Sequence, residues 1–68
     1  ADVADITAAD GAFTVKANGA VAQVYDAQGR LVSSATVNGE ASLPTFGKGV
    51  FIIRVTKGGN TTSQKAIF

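Results

Sequence analysis

Residue pairs that let a chain reverse recur along this sequence at short intervals: Asp10-Gly11, Asn18-Gly19, Asp26 to Gly29, Asn38-Gly39 and Gly58-Gly59. Glycine accepts the positive φ that tight turns demand, and Asn-Gly or Asp-Gly between apolar runs is the strongest short hairpin signal. Turn signals spaced roughly 8–12 residues apart point to a sandwich or barrel of short strands. No segment between them carries a helical period backed by caps.

The intervening segments alternate as half-buried strands do. In Ala12 to Ala17, Phe13 and Val15 share one face and Thr14 and Lys16 the other. In Ala20 to Tyr25, Ala22 and Val24 oppose Val21, Gln23 and Tyr25. Asp26 suits the first position of a type I turn and Gly29 its left-handed closing residue, so Arg30 to about Val37 returns as a strand. Glu40 to Leu43 is a short strand that Pro44, lacking an N–H, places at an edge or terminates. Thr45 to Gly49 reads as a loop, with Phe46 expected to plug the core.

Lys48 to Val55 is the longest apolar run. Phe51, Ile53 and Val55 fall on one face, Val50, Ile52 and Arg54 on the other, which predicts a central strand covered on both sides. A Gly58-Gly59 turn would pair Lys57 with Asn60, Arg54 with Ser63 and Ile52 with Lys65. The alternative Gly59-Asn60 turn would set Arg54 against Lys65, a destabilising like-charge pair. The first register is therefore expected, with Ala66 and Phe68 on the face of Phe51 and Ile53. Residues 1–11, rich in Ala and Asp, read as a linker or a short edge strand, and residues 12–68 as the sandwich.

Composition removes most chemistries. The 68 residues include no Cys, His, Met or Trp, which excludes imidazole and thiolate metal sites, His- or Cys-based catalysis and any disulfide. Asp2, Asp5 and Asp10 lack the spacing of an EF-hand loop, and nothing brings Asp26 and Glu40 together as a glycosidase pair. No catalytic residue, metal or cofactor is expected. Six basic against five acidic residues lack the basic excess of a nucleic-acid binder. No apolar run approaches the roughly 20 residues of a membrane span. The first residues do not read as a signal peptide, and with Ala1 in place of an initiator Met the chain is expected to be a fragment or a processed piece of a larger protein.

Three pieces stand in order: Val24-Tyr25-Asp26-Ala27-Gln28-Gly29-Arg30-Leu31-Val32, then Lys48-Gly49-Val50-Phe51-Ile52-Ile53-Arg54-Val55, then Lys65-Ala66-Ile67-Phe68. This ordered set resembles the C-terminal sorting domain, type A, of type IX secretion cargo proteins, over about residues 12–68. Phe51 stands where that family usually has Tyr, and the last strand has no trailing Lys. The resemblance implies an immunoglobulin-like β-sandwich of about six to seven antiparallel strands. It implies a non-enzymatic signal that carries a larger protein from the periplasm across the outer membrane to the cell surface or the extracellular space. The implied partners are the outer-membrane secretion machinery and a sortase-like surface peptidase.

Within that reading, Asp26, Gly29, Lys48 and Phe51 are motif residues with structural roles. Signal recognition is expected at Lys65, Ala66, Ile67 and Phe68, with Arg54 and Gly49 beside them, through addition of a partner strand to an exposed edge. The bland alternatives are turn chemistry for Asp26 and Gly29, a backbone requirement at Gly49, and solvated edge charges for Arg54 and Lys65. A rival reading is an accessory β-sandwich module binding a partner protein or a glycan. Glycan binding would need exposed aromatics, and only Tyr25 qualifies if the Phe residues are core. Two-faced apolar strands in so short a chain also raise a homodimer through edges or faces as a separate expectation.

Overall fold

The computed structural model describes residues 4–68, so Ala1, Asp2 and Val3 of the expected lead lie outside the described residues. Five antiparallel strands make one sheet: β1 (Asp5–Ala9), β2 (Ala12–Asp26), β3 (Leu31–Pro44), β4 (Val50–Lys57) and β5 (Asn60–Ile67). β2 is the hub. β3 runs along one side of it throughout, while β1 holds the first part of the other side and β4 the last part. β5 pairs with β4 alone.

The two Asn-Gly pairs are not turns, which corrects the expected strand count. Asn18 faces Asn38 across the β2–β3 ladder, and both strands continue past them. Gly19 is the extra residue of a bulge, at φ +73°, and Gly39 beside it has φ +106°. An unpaired extra residue bends its strand and shifts the side-chain period by one. Phe13 and Val15 accordingly point inward before Gly19, and Ala20, Ala22 and Val24 after it. On β3, which has no insertion here, Val37 and Leu43 keep one parity. Segments that read as four strands are therefore two long ones with a shared corner.

The corner folds the ribbon over. A straight strand of β2's 15 residues would span about 50 Å at about 3.3 Å per residue. The longest dimension of the whole molecule is 29 Å. One core cluster fills the fold: Phe13, Val15 and Leu43 from one half, and Val24, Val37, Phe51, Ile53 and Val55 from the other. Near the corner the inward side chains shrink to Ala17, Ala20, Ala22, Ala35 and Ala41, so the core tapers toward the bend. Cross-strand charge supports the register of the first half, where Lys16 lies between Asp5 on β1 and Glu40 on β3.

Two further expectations need correcting. β4 is interior to the sheet, but only the face of Phe51, Ile53 and Val55 is covered; Ile52 and Arg54 face solvent. Phe46 does not plug the core either. It is 79% exposed, in a left-handed backbone conformation at φ +59°. Thr45 turns inward instead, its amide donating to the Gly11 carbonyl at 2.9 Å and its hydroxyl 2.9 Å from the carbonyls of Gly11 and Gly47. A bulky residue at positive φ is strained by roughly 1–2 kcal/mol. Glycine there relieves the strain but adds about 0.4–1 kcal/mol of unfolded-state entropy. Phe46→Gly is thus expected to leave stability unchanged or raise it by up to about 1.5 kcal/mol; a clearly lower urea midpoint would show that the ring is needed by the fold.

Candidate recognition site

The C-terminal hairpin forms as its charge argument predicts. Lys57 pairs with Asn60, Arg54 with Ser63 and Ile52 with Lys65, across a Gly58-Gly59 turn in which both glycines have positive φ. Alternation then divides the last strand. Lys65 and Ile67 point outward, with Ile67 75% exposed. Ala66, opposite Phe51, packs against the core.

Phe68 continues the pairing beyond β5. Its N–H donates to the Gly49 carbonyl at 2.9 Å, and its carbonyl accepts from the Gly49 N–H at 3.1 Å. Gly49, at φ +123°, thereby aligns the loop with the end of the chain before β4 begins. The Phe68 ring meets Phe13 edge-on, with centroids 5.4 Å apart and planes at 87°. It also lies 6.0 Å from Phe51, at 61°. Phe13 and Phe51 belong to opposite halves of the folded ribbon, so Phe68 wedges between them and seals the open side.

The Asp26 turn borders the same end, because Asp26 pairs with Phe51. Its carboxylate accepts from the Gln28 and Arg30 amides at 2.9 Å each and from Arg30 Nε at 3.2 Å. The Arg30 amide, ahead of the Gln28 amide and the guanidinium, holds the carboxyl below the usual carboxylate range despite some opposing desolvation. The ionised turn therefore supports folding above the ordinary carboxyl pKa, and that support is lost as acidification protonates it. Gly29, at φ +84°, donates to the Asp26 carbonyl at 3.0 Å and closes the reversal.

Lys65 to Phe68, Gly49 and Phe51 thus come together at one end, with exposed Lys48 in the loop just before Gly49. Arg54 lies diagonally from Lys65 on the outer face, 6.0 Å over the Tyr25 ring. That aromatic neighbour was not legible locally, because β2 and β4 meet only through a non-local pairing. Among the described residues no group of three His, Cys, Asp or Glu side chains could hold a metal, and no helix is long and apolar enough to cross a membrane.

The domain is all-β, one curled five-stranded sheet in which β5 is an edge strand and Phe68 packs against the core. The family model described as the secretion system C-terminal sorting domain matches residues 7–68, and the chain belongs to that family, the sorting domains of type IX secretion. No curated protein and no solved structure matches it.

Proposed function

We propose that this domain is a non-enzymatic address that directs a larger protein through the periplasm, across the outer membrane and to attachment at the cell surface. Membership of the sorting family supports the route. One observation carries the choice of site: β5 is a sheet edge with Lys65 and Ile67 outward, while Ala66 and Phe68 hold it down from within. An edge strand offers unpaired main-chain groups on which a partner strand adds, and its outward side chains supply specificity. In this reading the outer-membrane secretion machinery takes the β5 edge, Lys65 and Ile67 set the fit, and Gly49 and Arg54 flank it. A sortase-like peptidase then acts ahead of β1, which is itself a strand of the sheet.

The test is a reporter fused ahead of residue 1 in a bacterium with type IX secretion. Lys65→Ser with Ile67→Ser changes only outward side chains. Surface reporter is expected to fall by about tenfold, equivalent to about 1.4 kcal/mol of lost recognition, while the purified domain melts as before. Undiminished delivery would remove the terminal-strand site. Undiminished delivery after deleting the whole domain would remove the sorting role itself.

A further inference from the structure

The two outer faces of the folded ribbon differ in kind. Outside the first half lie Asp5, Thr7, Thr14, Lys16, Glu40 and Ser42, with charges of alternating sign and no exposed large apolar side chain. Outside the second half lie Val21, Leu31, Ile52 and Ile67, four of the five exposed large apolar side chains among the described residues. Leu31, Tyr25, Ile52 and Lys65 form one continuous cross-strand row over β3, β2, β4 and β5. A groove of about 360 Å³ opens on this face, lined by Tyr25, Ile52, Arg54, Ser63 and the Asp26 turn. That size is within the range of genuine ligand sites.

The free charges that this face carries are basic: Arg54 on β4 and Lys65 on β5 both point outward. Asp26, the carboxylate at the groove, is already taken by Arg30 and two amides. Among the described residues Arg54 makes no ion pair, and its guanidinium is held over Tyr25, whose hydroxyl is tied to Gln23 Oε1 at 3.0 Å. A forked donor resting on an aromatic ring, in a groove that mixes polar groups with the Tyr25 and Ile52 side chains, suits a carboxylate carried beside apolar groups. Two copies meeting through this face would bring like charges together. A flat anionic surface would leave the groove unfilled.

We propose that the outer face of β2, β4 and the β3 start, centred on Tyr25, Ile52 and Arg54, binds an extended peptide segment of a partner protein in which acidic and apolar residues alternate. Arg54 takes the carboxylate, and Ile52 and Leu31 take the flanking apolar side chains. The site adjoins the β5 edge and shares Arg54 with it, but it goes beyond the sorting role, because it rests on the chemistry of the face alone.

The experiment titrates the isotope-labelled 68-residue chain with an acetylated octapeptide of alternating Glu and Val, and with its Gln-for-Glu counterpart. Saturable shifts are expected at Tyr25, Ile52, Ser63 and the Arg54 side chain for the acidic peptide, weakening with added salt. Arg54→Gln should loosen binding by about five- to tenfold, in the range of an exposed charge-assisted pair reinforced by its surroundings, with an unchanged melting curve. Ile52→Thr should weaken both peptides. The proposal is overturned by absence of saturable shifts, by equal binding of the Gln peptide, or by indifference to Arg54→Gln. It is equally overturned if the same residues shift on dilution without peptide, which assigns the face to a second copy. The same holds if they respond to phosphatidylglycerol vesicles and not to the acidic peptide, which assigns it to lipid. A failed secretion assay leaves each of these outcomes readable.

Discussion

Phe13→Ala is expected to remove about 3–5 kcal/mol, from about a third to all of the domain's stability. Phe13 is fully buried, lies between Ala8 and Leu43 on its own half of the ribbon, and touches Phe68 from the other side. Truncating a buried Phe to Ala costs about 3–5 kcal/mol, part transfer and part cavity. A chain of 68 residues has roughly 3–10 kcal/mol of total stability, from about 0.05–0.15 kcal/mol per residue, and has no disulfide to limit its unfolded state. The cavity cannot readily close, because the Gly19 corner fixes the spacing of the two halves at one end and the Phe68 wedge fixes it at the other. Urea denaturation followed by circular dichroism measures this. A loss below about 1 kcal/mol would mean that the halves collapse onto each other and that the wedge does not set their separation.

What the sequence made legible was local. Asp26 and Gly29 specify their turn by side-chain capping and a left-handed glycine, and both appear as read. The Gly58-Gly59 register followed from keeping Arg54 away from Lys65, a choice between two pairings that needed no knowledge of the rest of the fold. The Asn-Gly pairs failed because the same dipeptide serves a hairpin turn and a glycine bulge. Which one forms depends on whether the following segment pairs with the preceding one or stays with a common neighbour. Here both halves of β2 keep β3 as partner, so Asn18 meets Asn38 and the chain bends without reversing. The change of inward parity at Gly19, from Phe13 and Val15 to Ala20 and Ala22, looks from sequence like a new strand. Phe46 failed for a related reason: an aromatic is buried on average, but the loop backbone gave the inward position to Thr45, whose hydroxyl meets two carbonyls there. The Tyr25, Ile52 and Arg54 face was half legible. Alternation separated each residue from the inward side chains of its own strand, but the Ile52 and Arg54 face was expected to be covered, and the pairing that makes the three neighbours joins strands about thirty positions apart.

Removing Phe68 alone is expected to cost about 2–3 kcal/mol and to lower the melting temperature by roughly 10–20 °C for a domain of this size. The ring is only half-buried, so its loss falls short of the full cost of a core Phe. It nevertheless makes two edge-on aromatic contacts, which add about 0.5–1.5 kcal/mol beyond area burial. Deletion also leaves Gly49 without its reciprocal main-chain partner, whereas Phe68→Ala keeps it. The two variants should therefore differ by about 1–2 kcal/mol, the net value of one or two main-chain hydrogen bonds. Calorimetry on both separates the ring from the backbone. A truncated chain melting within about 2 °C of the full one would show that Phe13 and Phe51 close the core without it. The consequence reaches into the sorting assay. A truncation that abolishes delivery has removed a residue packed against the core as well as any signal, so the outward Lys65 and Ile67 positions are the ones that report recognition on an intact fold. If the machinery instead requires Phe68 to be released from between Phe13 and Phe51, weakening the wedge by Phe68→Ala should raise delivery at temperatures where the domain is still folded; if it takes the edge as presented, delivery should follow the folded fraction.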